Sequence, residues 1–191
     1  MVRTGDPDAH ISAIIRSLCI KLGHFAVDDD ESMTAEDLAK RQTRWELGSA
    51  FEEAVRHGLA RRYAADQPDR YMVPGELERD GLIGSPDLAD LHDRAIIEVK
   101  LTWLSSRHEA EGEKFWKYWV QVKAYCHMMG WQVGRVHVAH VMGNYKDDRG
   151  PIYNVWEDTF TDRELQENWR MLTSHNAWMR KTANAKPDPR K

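Results

Sequence analysis

The spacing of apolar and polar positions divides the chain into a helical opening, a strand-rich middle and a helical close. Ile11, Ile14, Ile15, Leu18 and Leu22 recur at helical spacing, with Asp8 placed to cap the first turn and Gly23 to end the helix. Thr34 and Asp37 match a variant capping box for a short helix ending near residue 40. A longer helix is predicted over 42–63, with Leu47, Phe51, Ala54, Val55 and Gly58 as its apolar stripe. A strand over 71–77 is interrupted by Pro74 and Gly75, which marks an edge position or a bulge. Residues 81–100 hold two short apolar runs around His92, Asp93 and Arg94, the pattern of strand, tight turn and strand. A polar loop over 102–112 follows. The next helix is predicted over 113–129, with Phe115, Trp119, Val122, Cys126 and Met129 facing inward. A strand over 133–142, a turn over 146–151 and a strand over 152–160 lead to a last helix. That helix opens on a Thr161/Glu164 capping box and carries Leu165, Trp169, Leu172 and Trp178. The ends, 1–7 and 182–191, have no periodicity and read as loose tails.

This order of helices and strands predicts an α/β sandwich built on a mixed central sheet. At 191 residues it is one domain, 1–191, large enough to bury roughly 70% of its unfolded surface without staples. Cys19 and Cys126 are its two cysteines, too few and too far apart for a disulfide framework or a cysteine metal site. Without a signal peptide or a long apolar run, the chain reads as cytoplasmic, with no membrane partner. The net charge of −4 does not advertise a nucleic-acid binder, although contacts to DNA need only one basic strip. Eight tryptophans are assigned mainly to the core.

The chemistry concentrates in 81–100. Alternation on the second strand sends Ile97 and Val99 one way and Glu98 and Lys100 the other, the latter two roughly 6–7 Å apart along one face. Pairing through the turn brings Asp87 towards Glu98. Two carboxylates offer the hard oxygen ligands that Mg²⁺ or Mn²⁺ prefers, and a lysine beside them can orient a water or offset charge on a phosphate. On the long helix, Gly48 lies one turn before Glu52 on its side, while Glu53 points further towards solvent. A glycine inside a helix costs stability, so close approach of the sheet or a substrate is expected at Gly48. Arg41, Arg44 and Arg56 stand nearby as candidate phosphate contacts, as do Lys114, Lys117 and Lys123 on the later helix and His108 in the loop. Gln121 and Tyr125, four apart, share a helix face. The acid run 28–31 reads as a solvated loop, and His137 and His140 fall on opposite faces of their strand, which excludes a shared metal.

Pro86-Asp87 followed by Glu98-Val99-Lys100 resembles the signature of the PD-(D/E)xK nuclease superfamily. Gly48-x-x-x-Glu52 before it, and Gln121-x-x-x-Tyr125 after it, resemble the flanking motifs of the RecB-like branch, lambda-type exonucleases included. The resemblance covers 48–125 and implies a restriction-endonuclease-like fold. It also implies Asp87, Glu98, the Val99 carbonyl and Glu52 as Mg²⁺ or Mn²⁺ ligands, Lys100 as the residue that positions the attacking water, and Gln121 and Tyr125 as DNA contacts. The partner implied is DNA, and the activity is hydrolysis of phosphodiesters from DNA ends in recombination or repair, in a bacterium or phage. A restriction-type or junction-resolving endonuclease, or a non-catalytic DNA-binding protein, stands as the alternative. Lambda-type relatives form rings, so a homo-oligomer is left open. Members with an iron–sulfur cluster need four cysteines, and this chain has two, so no cluster is expected.

Overall fold

The structure, a computed structural model, describes residues 9–23, 34–107, 115–146 and 150–183. The Asp8 cap, the acid run 28–31, His108, Lys114, the middle of the turn at 146–151 (147–149) and the tail beyond residue 183 lie outside them. The elements are α1 (Ile11–Lys21), α2 (Ala35–Tyr63), β1 (Tyr71–Met72), β2 (Leu77–Arg79), β3 (Leu82–Gly84), β4 (Leu88–Asp90), β5 (Ala95–Thr102), α3 (Trp116–Met129), β6 (Val133–His140), β7 (Ile152–Thr159) and α4 (Asp162–Ala183).

Five strands form the central sheet in the order β1-β4-β5-β6-β7. β5 and β6 run parallel, with α3 as the crossover between them, and every other pair is antiparallel. The predicted hairpin is present as β4 and β5, with Leu88 opposite Ile97 and Asp90 opposite Ala95. β5 is central and reads as a nearly unbroken apolar run because both its faces are covered. Ile96 joins the main core, built with α1, α3 and α4 through Ile11, Ile14, Val122, Cys126, Phe160 and Leu172. Ile97 and Val99 point to the other face, where Phe51, Val55 and Leu59 of α2 cover them. The result is three layers: three helices, the sheet, and one long helix.

Several expectations are corrected. The helices predicted on either side of residue 41 are one continuous α2. Thr34 caps it by accepting the Asp37 N–H at 3.2 Å. No residue of α2 is fully buried, and its inward stripe is Phe51, Val55 and Leu59. Leu47, Ala54 and Gly58 are exposed, because the helix touches the sheet along one narrow line. Leu22 is likewise exposed at the end of α1. The segment 71–77 is two strands in different sheets: Pro74 and Gly75, the latter at φ 75°, carry the chain from the edge of the main sheet to a small β2–β3 hairpin. That hairpin turns on Asp80 and Gly81, both at positive φ, the conformation a two-residue Asp-Gly turn requires. α3 starts at Trp116 and buries Val120, Val122, Ala124, Tyr125 and Cys126. Its stripe is broader than predicted because α1, α4 and the sheet all pack on it. In α4 the Thr161/Glu164 box closes in both directions, and Trp178 remains exposed. Among the described residues no helix is long and apolar enough to cross a membrane.

Candidate active site

β4 begins only at Leu88, so the second half of β5 has no partner on that side, and the uncovered edge becomes a cleft of about 340 Å³. The register sets Asp87 opposite Glu98 and Pro86 opposite Val99. Val99 donates its N–H to Asp87 Oδ2 at 2.8 Å, so the Asp side chain takes the place of a ladder acceptor. In an antiparallel pair the N–H and C=O of one residue face the same neighbour. The Val99 carbonyl therefore faces the Asp87 side, where Pro86 has no N–H to offer it. This is a local reason for the Pro-Asp pair: proline stops the ladder, and aspartate holds the strand while its carboxylate stays in the cleft.

Glu98 is wholly buried, and Lys100 is about a quarter exposed. The Lys100 ammonium bonds Glu98 Oε1 and lies 3.8 Å from Asp87 Oδ2. Glu98 Oε2 is buried with no hydrogen-bond partner. Burial, reinforced by the negative charge of Asp87, pushes the Glu98 carboxyl up to about 8. Burial acts to lower the Lys100 ammonium, but the carboxylates of Glu98 and Asp87 outweigh it and hold the group above its ordinary range. Glu52 enters from α2, half-buried, and is raised by burial and by Asp87. Arg56, one turn on, bonds Glu52 and donates Nε to the Asp87 carbonyl at 2.9 Å, joining α2 to the start of β4. Glu53 is more exposed and bonds His57 at 2.8 Å, which leaves Glu52 as the helical acid at the cleft.

The donor set suits a hard divalent cation. Two carboxylates, one of them with a buried oxygen left without a partner, and a carbonyl are what Mg²⁺ takes from a protein when it keeps several waters and adds substrate phosphate. Among the described residues no three His, Cys, Asp or Glu side chains gather into a cage. Glu52 is tied to Arg56, which leaves Asp87 and Glu98 as the candidate direct carboxylates.

No family model matches this chain, and no curated protein matches it. Solved structures do. It superposes on the crystal structure of SSO0001 with a TM-score of 0.50 at 12% identity, over 93% of this chain and 79% of that one. A phage-related exonuclease from Haemophilus somnus 129PT gives a TM-score of 0.50 at 13% identity, over 87% and 78%. An alkaline exonuclease (LHK-Exo) from Laribacter hongkongensis gives 0.43 at 16% identity, over 96% and 88%. At such identities the likeness is one of fold. The chain shares the α/β arrangement of these structures, a mixed central sheet flanked by helices.

On α3, Gln121 Nε2 donates to the Tyr125 hydroxyl at 2.9 Å, and both residues line the cleft. Tyr125 is buried, and burial raises its phenol well above the ordinary value. Sequence reasoning passed over Tyr118, whose ring lies 5.7 Å from the Lys100 ammonium. Its position three before Gln121 and seven before Tyr125 puts it on their stripe, which is the signal that could have found it. Of the basic candidates, Arg44 lines the cleft, while Arg56 is committed to Glu52 and Asp87. Lys123 stands over Phe160, away from the cleft. Gly48 lines the cleft, but a Cβ there would meet nothing within 4 Å: the expected close approach is absent, and the glycine faces open space. His137 and His140 are on opposite faces, bonded to Tyr153 and to the Leu104 carbonyl respectively.

Proposed function

We propose that this protein is a metal-dependent DNA nuclease of the PD-(D/E)xK type, nearest to the RecB-like exonucleases, hydrolysing phosphodiesters at DNA ends. One observation carries the reading: Asp87, Glu98 and Lys100 converge at an uncovered sheet edge, with a buried carboxylate oxygen left without a partner. An ordinary amphipathic hairpin would place such a Glu/Lys pair in solvent. The name of the phage-related exonuclease whose fold the chain shares points to the same chemistry.

Asp87, Glu98 and the Val99 carbonyl would hold Mg²⁺ or Mn²⁺, with Glu52 behind them as an outer or second-ion ligand. The bound ion would polarise a phosphoryl oxygen and lower the pKa of a water. Lys100 orients that water and offsets charge on the phosphate. The water oxygen bonds to phosphorus, the bond to the 3′-oxygen breaks, and the leaving oxygen gains a proton. The products are a 3′-hydroxyl and, as the family resemblance implies, a 5′-phosphate. Gln121 and Tyr125 orient the strand.

The test is incubation with end-labelled linear duplex, single strand and closed circular plasmid, with Mg²⁺, Mn²⁺ or EDTA. Metal-dependent loss of the linear substrates alone is expected, with kcat about 10²–10³ lower for Lys100→Ala. Cleavage of the circle would favour an endonuclease. Binding without cleavage under either metal would overturn the catalytic reading.

A further inference from the structure

Among the described residues Trp45 is the most exposed of the large apolar side chains, at 67%, and it lines the cleft. A tryptophan left this far in water at the mouth of a polar cleft contributes little to the fold. Its position on α2 relates it to the site. Glu52 lies seven positions further on, which in a helix returns to nearly the same face about 10 Å away along the axis. Gly48 lies between them and opens onto the cleft, so the track from Trp45 to Glu52 carries no side chain at its midpoint. Ser49 flanks this track. Arg44 lines the same wall, its guanidinium 5.6 Å from the Trp103 ring, which places a cation where phosphates would pass. An exposed indole, a bare stretch of helix and a neighbouring guanidinium are the parts of a single-strand platform, in which bases stack on an aromatic face and the backbone follows positive charge.

We propose that Trp45 is a base-stacking platform that receives an unpaired strand and delivers its backbone to Asp87, Glu98 and Lys100. This rests on the nuclease reading and adds a substrate class to it: a strand single-stranded over the nucleotides next to the scissile phosphate. In a stacked strand successive phosphates advance about 3.4 Å. The ~10 Å from Trp45 to Glu52 therefore corresponds to about three nucleotides. Trp45 is a binding and positioning residue; it touches no reacting atom.

The test begins with binding, in EDTA, so that no cleavage is needed. Fluorescence anisotropy with a labelled single-stranded oligonucleotide compares wild type, Trp45→Ala and Trp45→Phe. The alanine variant is expected to bind about fivefold to a hundredfold more weakly, and phenylalanine, which keeps a stacking face, is expected to recover most of the loss. With Mg²⁺, the ratio of kcat/KM for a ten-nucleotide strand to that for a dinucleotide is expected to fall about tenfold in Trp45→Ala, mainly through KM. Circular dichroism checks that each variant folds. An unchanged affinity and ratio in Trp45→Ala overturns the platform while leaving the nuclease reading intact. A change in sedimentation of Trp45→Ala with unchanged DNA binding overturns it in favour of a protein interface. A wild type that binds no DNA overturns the nuclease reading itself.

Discussion

Among the described residues two carboxylates are completely buried, Asp90 and Glu98, and their surroundings separate a structural acid from the proposed chemical one. Asp90 is saturated. Arg70 reaches it with Nε and Nη2 at 2.7–3.1 Å, Arg135 with Nη1 at 2.9 Å, and the N–H groups of His92 and Asp93 close the remaining positions. Asp93 bridges the same two arginines; its hydrogen bond with His92 and its bonds to Arg135 hold its carboxyl well below the usual range. Glu98 shares Lys100 on one oxygen and has no partner on the other. Removing one partner of a buried ion cluster typically costs 3–5 kcal/mol. Asp90→Ala is therefore expected to lose about that much stability in urea unfolding, while the protein that remains folded still cleaves DNA. Glu98→Gln is expected to do the reverse, with a folded protein by circular dichroism and cleavage reduced at least about 10²-fold. The difference between the two acids was only half legible in the sequence. The spacing of Asp87, Glu98 and Lys100 is local and exposes the candidate site. Asp90 meets Arg70 and Arg135 from 20 and 45 positions away, and no short-range pattern announces that.

At the scale of elements, the cleft depends on how closely β3 and α3 approach each other. A Cβ at Gly84 would lie 2.6 Å from Cε1 of Tyr125 and 3.0 Å from both Ile11 Cδ1 and Met128 Sδ, all of them packed side chains. Gly84→Ala is thus expected to cost about 1–3 kcal/mol by overpacking. It is also expected to displace the Tyr125 hydroxyl from Gln121, so kcat should fall even at temperatures where the variant is folded. Urea titration together with kcat at 15 °C distinguishes the two effects; loss of stability with unchanged kcat would remove Tyr125 from the site. Gly134 plays the same part under β6, where a Cβ would run into Val122 and Phe160. These close approaches show where sequence reading stopped. Helix periodicity located α1, α3 and α4 because each has a buried side. It misplaced the stripe of α2, since a helix with no buried residue leaves only a faint one. The β2–β3 hairpin was missed although Asp80-Gly81 marks it, because its strands are three residues each and show almost no alternation.

The sheet separates two buried titratable groups, Glu98 and His137, onto opposite faces, with consequences for pH. Glu98 faces the three-helix layer; His137, on β6 beside Val99, faces the α2 layer. His137 is buried against Tyr153, whose hydroxyl is 2.6 Å from Nδ1, and its Nε2 has no partner. Burial, aided by the positive charge of Arg135, lowers the imidazole to about 4. In the unfolded chain the same group takes a proton near pH 6.5. Between these values the unfolded state binds a proton that the folded state refuses, so the contribution of His137 to stability is fully present above pH 6.5 and is lost as the pH falls towards 4. Two and a half units correspond to on the order of 3 kcal/mol, a large part of what a domain of this size has to lose. The Glu98 carboxyl, raised to about 8, acts in the opposite sense over this range, so the His137 effect is read as a difference: urea midpoints at pH 7.5, 6, 5 and 4.2 are expected to drop more below 6.5 in the wild type than in His137→Gln. His137→Gln keeps a polar side chain at Tyr153 but takes up no proton, and it is expected to flatten that slope. A parallel fall in both proteins would assign acid sensitivity to other groups. Cleavage at pH 7.5 is expected to survive the substitution, because His137 lies across the sheet from Lys100 and does not line the cleft. The histidine is thereby separated from the chemistry by one layer of β-sheet.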